Sequence, residues 1–289
     1  MPRALVIGDV MTDIVARLSE PFARGSDAAA EIVERPGGSA ASFAVWLARE
    51  GVEVDFVGRV GADDVERLSA AFRADGVTPW LTGDPVLPTG RLIAVVEPSG
   101  ERSFLTQRGA NDALTFADIP EAAFARADWV HLTGYTFQHP RSRAAARDVM
   151  RRAGETPVSV DPGSAAPLRA MGLENFLDWT AGAAVIFPNA DEAAALTGSD
   201  DPARQRERLW GHYPLVVIKR GAEGAEAFSA NARWSAPALS VRVLDTTGAG
   251  DAFAAAFVAA RLAGKGVEAC LARAVAAGAA ATLFLGGWG

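Results

Sequence analysis

The stretch Asp245-Thr246-Thr247-Gly248-Ala249-Gly250-Asp251-Ala252-Phe253 follows strand-like Val241–Leu244 and opens an Ala-rich helix expected over Ala249–Leu262. Its glycines let the backbone turn sharply and come close to a ligand. The unpaired N–H groups of the helix's first turn, together with the helix dipole, make an anion site suited to phosphate. Asp251 sits in that turn. A carboxylate beside a bound phosphate is repelled, so it needs a use there, and one use is to take the proton of an attacking hydroxyl as general base. The backbone amides would meanwhile stabilise charge on the transferring phosphoryl group. The plainer alternative is that Thr247 or Asp251 caps the helix.

A second break, Arg35-Pro36-Gly37-Gly38-Ser39-Ala40-Ala41-Ser42-Phe43, again runs into a helix start. Two glycines allow a polyol to lie against backbone, and the plainer reading is a turn with a serine cap. Other loop motifs fail. The phosphate loop ending at Gly264-Lys265 would need Gly at position 259, which is Ala. Gly248-x-Gly250 lacks the third glycine of the dinucleotide fingerprint, because position 253 is Phe. The esterase elbow beginning at Gly37 fails at Ala41.

These segments must be held by a fold, and the pattern names its class. Short apolar runs at Leu5–Gly8, Trp129–Leu132, Val158–Val160, Ala184–Phe187 and Leu215–Lys219 alternate with helical stretches at Arg141–Arg152, Asp191–Leu196 and Ala203–Trp210. That rhythm predicts a parallel sheet covered by helices on both faces. Alternating stretches at Val15–Leu18 and Glu31–Glu34 have no helix between them. Arg91–Glu97 and Arg102–Thr106, around Pro98-Ser99-Gly100, read as a hairpin. Together these predict a small appended sheet. A helix starts at Ser39 and stops at Gly51, another covers Asp63–Ala74, and Val52–Val57 alternates between them; Thr78–Pro88 is rich in turn formers. A last hairpin is expected at Ala225–Ser229 and Arg233–Ala236, and a final helix at Val267–Leu285.

The 289 residues are 49% hydrophobic and carry a net charge of −7, which supplies a core and disfavours a general nucleic-acid binder. Cys270 is the single cysteine, so neither an intrachain disulfide nor a cysteine metal cluster can form. The three histidines have no metal-ligand spacing. The longest uncharged stretch, Ala274 to Gly289, falls short of the roughly 20 apolar residues of a membrane span. A cytoplasmic protein without membrane or nucleic-acid partners is expected.

Asp245–Phe253 resembles the C-terminal signature of the ribokinase-like (PfkB) family of carbohydrate and nucleoside kinases, and Gly37–Ala48 resembles its N-terminal signature. Asn189-Ala190-Asp191-Glu192, Lys219-Arg220-Gly221-Ala222-Glu223-Gly224-Ala225, Gly100-Glu101-Arg102-Ser103-Phe104 and Gly109-Ala110-Asn111 fit further family elements in register. The resemblance implies one three-layer α/β/α domain over residues 1–289, with a central, mainly parallel sheet and a small β-sheet lid drawn from about 14–35 and 90–107. It implies transfer of the ATP γ-phosphate to a substrate hydroxyl, aided by Mg²⁺. Asp251 matches the catalytic base, and Gly248, Ala249, Gly250 and the Asp251 amide match the anion hole. Glu192, with Asn189, matches residues that organise Mg²⁺ through water. Asn189, Lys219, Gly221, Gly224, Thr246, Gly248 and Gly250 match the nucleotide side. Asp245 matches a residue near a monovalent-cation site, usually potassium, completed by the C-terminal loop Leu285-Gly286-Gly287-Trp288-Gly289.

On the substrate side Asp13 matches the carboxylate that holds hydroxyls, with Gly37, Gly38, Ser39, Ser42 and Asn111 around it. A carboxylate accepts two hydrogen bonds from vicinal hydroxyls, which suits a furanose or ketose. Asp9 competes for that role. Arg108 joins Asn111 as a candidate from the lid side, Trp46 reads as core, and Phe104 as either core or a stacking surface. Ser42 departs from the family's Asn, and Ser39 from the Lys of ribokinase itself. The resemblance leaves a sugar kinase, a nucleoside kinase and a non-catalytic binding protein as readings. It also suggests a homodimer through the lid.

Overall fold

The first strand shows how the layers arise. In β1 (Arg3–Ile7), Ala4 and Val6 enter one buried apolar cluster while Leu5 and Ile7 enter another. A strand that buries both faces lies inside a sheet with helices on either side. β1 pairs in parallel with β4 (Glu53–Gly61) on one side and β8 (Trp129–Thr133) on the other. Beyond β4 lies β5 (Val77–Asp84), also parallel. Beyond β8 run β9 (Val158–Asp161), β10 (Val185–Ile186) and β11 (Leu215–Lys219), all parallel. β12 (Ala225–Phe228) and β13 (Arg233–Ala236) close that side as an antiparallel hairpin, completing nine strands. The computed structural model describes residues 1–22, 25–99 and 102–288.

One face is covered by α1 (Ser39–Arg49), α2 (Val65–Ala74), α9 (Ala249–Leu262) and α10 (Val267–Ala281), whose apolar residues meet Ala4, Val6 and Phe56. The other is covered by α3 (Glu121–Ala125), α4 (Pro140–Arg152), α5 (Ala165–Met171), α6 (Leu173–Trp179), α7 (Ala190–Thr197) and α8 (Pro202–Trp210), which pack on Leu5, Ile7 and Val57. The expected α/β/α layering is present.

A separate four-stranded sheet has the order β3 (Ala30–Gly37), β2 (Met11–Leu18), β6 (Gly90–Val96), β7 (Arg102–Gln107). Gly100 and Glu101, named in the family element expected there, lie outside the described residues. Side chains alternate faces along a strand. The register therefore puts Met11, Asp13, Arg35, Gly37, Leu92 and Phe104 on one face and Ile14, Ile32, Ile93 and Leu105 on the other. The first face looks at the large sheet: Asp13 is buried, and Arg35 reaches the carbonyl of Leu285. The second leaves Ile32 and Leu105 more than half exposed.

Three expectations are corrected. Thr78–Pro88 is not a turn region, since most of it is strand β5; Pro79 is tolerated because β5 is the edge of its sheet. Val241–Leu244 forms no strand; it is an exposed segment whose Leu244 N–H bonds the carbonyl of Thr282. The last helix ends at Ala281, not Leu285, where the Thr282 hydroxyl turns back onto the carbonyl of Ala279 and the chain bends toward Asp245.

Candidate active site

From β1 the parallel strands are laid down in both directions, toward β4–β5 and toward β8–β11. Ligands of such sheets bind beyond the carboxyl ends of the strands, at the point where the order reverses. The chemistry-bearing side chains gather there: Asp9 after β1, Thr133 at the end of β8, Asp161 at the end of β9 and Lys219 at the end of β11.

Asp9 is fully employed. Its carboxylate accepts the N–H of Ser39 at 2.9 Å, that of Ala40 at 3.4 Å and the hydroxyl of Thr133 at 3.1 Å, with Arg108 3.6 Å away. It anchors the start of α1, whose N-cap is Gly38. Asp13 is different. It is buried, and among the described residues no group donates to its carboxylate. Burial, then the negative charges of Asp9 and Asp245, push its pKa up to about 7. Gly37 makes room for it, since a Cβ at Gly37 would stand 2.1 Å from Asp13 Oδ2.

The N-terminus of α9 faces the same crevice. Gly248, not Thr247 or Asp251, is its N-cap, with φ +76°. A Cβ there would lie 2.6 Å from the Cα of Gly287, so only glycine suits both the conformation and the contact. The Ala249 N–H turns back to the carbonyl of Thr246 at 3.3 Å. Among the described residues no acceptor outside the helix takes the N–H groups of Gly250 and Asp251, as expected of a helix's first turn. The Lys219 ammonium stands beside Gly250, 3.2 Å from where a Cβ would be. It also donates to Asp161 Oδ2 at 2.6 Å. Burial alone would lower the Lys219 pKa, but the Asp161 and Glu192 carboxylates hold it above its usual value, so the cation is fixed. Two open amides and a fixed ammonium suit a phosphate group.

Asp251 Oδ1 accepts the hydroxyl of Ser39 at 2.7 Å, which ties the starts of α1 and α9 together. Among the described residues nothing donates to Oδ2. Burial and the charge of Asp161 raise the Asp251 pKa well above its ordinary value, opposed by Ser39 and Lys219. A carboxylate with raised proton affinity and one open oxygen beside an anion site is equipped to accept a proton.

Glu192 is buried in the first turn of α7, locked in a reciprocal cap with Asn189. The Asn189 N–H donates to Glu192 Oε2 at 2.8 Å, its amide to Oε1 at 2.7 Å, and the Glu192 N–H returns to Asn189 Oδ1 at 2.8 Å. Burial lifts the Glu192 pKa to about 7; Lys219 opposes this and Asp161 adds to it. Among the described residues no cluster of three or more metal-ligating side chains could hold an ion directly. A single buried carboxylate near a phosphate site fits magnesium, which keeps most of its waters and takes further oxygens from phosphate.

Several expected residues sit elsewhere in the chemistry. Asn111 is buried with its amide spent on backbone: Oδ1 accepts the Val10 N–H at 3.0 Å, and Nδ2 donates to the carbonyls of Val10 and Arg108 at 3.1 and 2.9 Å. Those bonds make it a brace for the Asp9 loop. The Ser42 hydroxyl packs against Gly287 of the C-terminal loop. Trp46 is partly buried against the core and donates to the carbonyl of Gly287 at 3.0 Å. Phe104 is 54% exposed and so is not core; it stands on the Asp13 face of the small sheet. Gly221 lies in an exposed turn after β11, Gly224 closes that turn onto Arg220, and Thr246 is exposed beside the Gly248 turn.

Asp245 accepts the N–H and hydroxyl of Thr247 on Oδ1, at 2.9 and 2.8 Å, and the N–H of Gly286 on Oδ2 at 3.0 Å. Both oxygens of its carboxylate thus face donors of the chain.

Asp161 and Tyr135 were not found from the sequence. Asp161 ends the apolar run Val158–Val160 just before Pro162-Gly163, and a charge closing a buried parallel strand was the available signal. Tyr135 is half-buried beneath the guanidinium of Arg108, 5.1 Å from its ring, and donates to the carbonyl of Gly163.

Comparison with known proteins agrees with this geometry. The family described as pfkB family carbohydrate kinase matches residues 1–286. An ATP-dependent ribose-1-phosphate kinase of Halopiger xanaduensis is 34% identical, over 96% of this chain and 91% of its own. The crystal structure of adenosine kinase from Sinorhizobium meliloti superposes with a TM-score of 0.88 at 26% identity, over 99% of this chain and 95% of that one. Ribokinase from Thermotoga maritima gives a TM-score of 0.85 at 26% identity, over 100% and 95%. The layered fold, the crevice at the strand ends and a family match over nearly the full length agree: this chain belongs to the pfkB family of carbohydrate kinases.

Proposed function

We propose that the protein transfers the γ-phosphate of ATP to a hydroxyl of a sugar, with Asp251 as general base. The observation that carries this is the junction at the start of α9. One Asp251 oxygen is held by Ser39 while, among the described residues, the other is open, beside two unpaired amides and the Lys219 ammonium. The substrate hydroxyl gives its proton to Asp251 Oδ2 as its oxygen bonds to the γ-phosphorus, and the bond from that phosphorus to the β,γ-bridging oxygen breaks, releasing ADP. The Gly250 and Asp251 N–H groups, with Lys219, meet the charge on the transferring group, and positioning supplies most of the rest. Asp13 holds neighbouring sugar hydroxyls. Glu192, fixed by Asn189, would hold magnesium through water, and that ion would neutralise phosphate charge when bound. Gly221, Gly224 and Thr246 border the nucleotide side, and the small sheet closes the crevice as a lid.

Asp251→Asn keeps the fold and the nucleotide site but lacks the base. Turnover should fall by about 10²–10⁴-fold, with ATP binding by calorimetry unchanged. Near-normal turnover would remove Asp251 as base. The assay is ADP release from Mg-ATP across pentoses, hexoses, sugar phosphates and nucleosides. A nucleoside acceptor is the second reading, favoured by Phe104, whose half-exposed ring on the Asp13 face offers a stacking surface for a base. Phe104→Ala raising KM for nucleosides alone would select it.

The outer face of the lid, with Ile32 and Leu105 exposed, is the surface through which two copies would pair. Sedimentation at micromolar concentration should give a dimer, and Ile32→Asp a monomer. A monomeric parent protein would refute that pairing.

A further inference from the structure

The last turns of the chain are held by side-chain donors from three directions. Arg35 Nη1, on β3, donates to the carbonyl of Leu285 at 3.1 Å. Trp46 Nε1 donates to the carbonyl of Gly287 at 3.0 Å, and Arg49 donates to that of Trp288. Between the first two, the Gly286 N–H donates to Asp245 Oδ2. The other Asp245 oxygen holds Thr247, next to Gly248, and Gly248 in turn packs directly on Gly287. A continuous line of contacts therefore runs from the small sheet, through Arg35, Leu285, Gly286 and Asp245, to the turn that presents the open amides.

A bare alkali cation at such a junction would need several oxygens turned inward with free lone pairs. Here the loop turns an N–H at Gly286 toward Asp245, and the carbonyls on either side, of Leu285 and Gly287, each accept a side-chain N–H. Arg35 itself packs its stem over Gly286, with Cδ 3.4 Å from where a Cβ would stand, and it lies directly across the ladder from Asp13. The positive charge at this place is covalently attached to the lid.

We propose that Arg35 is a positioning residue whose guanidinium joins the lid to the C-terminal loop and the anion hole in place of a free monovalent cation. Turnover then needs no potassium. The inference rests on the kinase reading of the α9 turn, so its test has one arm that does not use turnover. In amide hydrogen exchange without ligands, Arg35→Ala should exchange faster at Gly286 and Thr247 than the parent, while β1 and β8 stay protected. Unchanged exchange there would overturn the tether even if no substrate is ever found.

In the kinetic arm, replacing potassium with tetramethylammonium should leave the parent kcat unchanged. Arg35→Ala should lower kcat by roughly ten-fold or more, the size of one charge-assisted hydrogen bond. Its KM for ATP should change less, and added methylguanidinium should restore part of the loss. Arg35→Lys should retain more turnover than Arg35→Ala. A parent enzyme that loses most of its turnover without potassium would overturn the proposal, as would an Arg35→Ala enzyme that guanidinium does not rescue.

Discussion

Asp9 and Asp13 are four residues apart, and either could have been the sugar-binding carboxylate. Their surroundings separate them. Asp9 receives two backbone N–H groups and a hydroxyl, so it is the fixed point from which α1 starts. Asp13 receives nothing from the described residues and is pressed against the bare α-carbon of Gly37. A buried carboxyl without donors is costly unless a ligand supplies them. Gly37→Ala tests this without removing the acid. Its methyl group would overlap Asp13 and turn the carboxyl away, and losing a hydrogen bond to a charged acceptor is worth about ten-fold or more in binding. Steady-state kinetics should show the KM for the sugar rising by that factor with the KM for ATP unchanged. An unchanged sugar KM would take Asp13 off the substrate face.

At the scale of elements, α7 shows how a helix start can be both structure and site. The cap between Asn189 and Glu192 satisfies orphan N–H groups and at the same time fixes a buried carboxylate at the crevice. Asn189→Ala should cost about 1 kcal/mol of stability, the usual worth of such a cap, read as a lower urea midpoint with unchanged slope. It should also raise the magnesium concentration needed for half-maximal turnover, because Glu192 loses the amide that orients it. Elements like this were legible because their signals are local. The Asn-x-x-Glu spacing marked α7, the Gly-Ala-Gly-Asp run marked the start of α9, and period-two alternation marked β2 and β3. What stayed hidden depends on partners far along the chain. β5 carries Pro79 and Gly83, which read as turn, and only its pairing with β4 makes it a strand. Asp161 acquires its role from Lys219, 58 residues on, and Arg35 from Leu285, 250 residues on. Neither pairing has a local pattern. Asn111 was visible as polar and near the site, but that its amide is consumed by Val10 and Arg108 follows only from the folded backbone.

For the whole molecule, the fold collects Asp9, Asp13, Asp161, Glu192 and Asp251 at one end of a sheet with Lys219 among them, and this has a consequence for stability. Asp13 and Glu192 have pKa values near 7 in the folded chain, against ordinary values of 3.8 and 4.5. Between those limits the folded protein holds protons that the unfolded chain has released. Stability from these two groups is therefore full below about pH 4 and is lost as pH rises through about 7. Asp84, lowered to about 2 by its bonds to Leu87 and Val86, acts oppositely, but its contribution is lost only as pH falls below about 4 and does not interfere. The thermal midpoint should thus fall between about pH 5.5 and pH 8. Asp13→Asn, with no proton to lose, should show a shallower fall and a higher midpoint than the parent at the upper pH. On the proposed mechanism catalysis runs the other way, because Asp13 and Asp251 would work only when ionised, so kcat/KM should climb over the window in which the empty protein weakens. Binding of substrate hydroxyls and phosphate-bound cations supplies the donors and positive charge that the empty crevice lacks, so ligand should raise the midpoint most at high pH. Scanning calorimetry of parent and Asp13→Asn across this range, with and without Mg-ATP and sugar, reads both slopes. A variant that keeps the parental slope would mean that Asp13 is already ionised in the folded protein, and the carboxyl would have lost its reason to wait for a ligand.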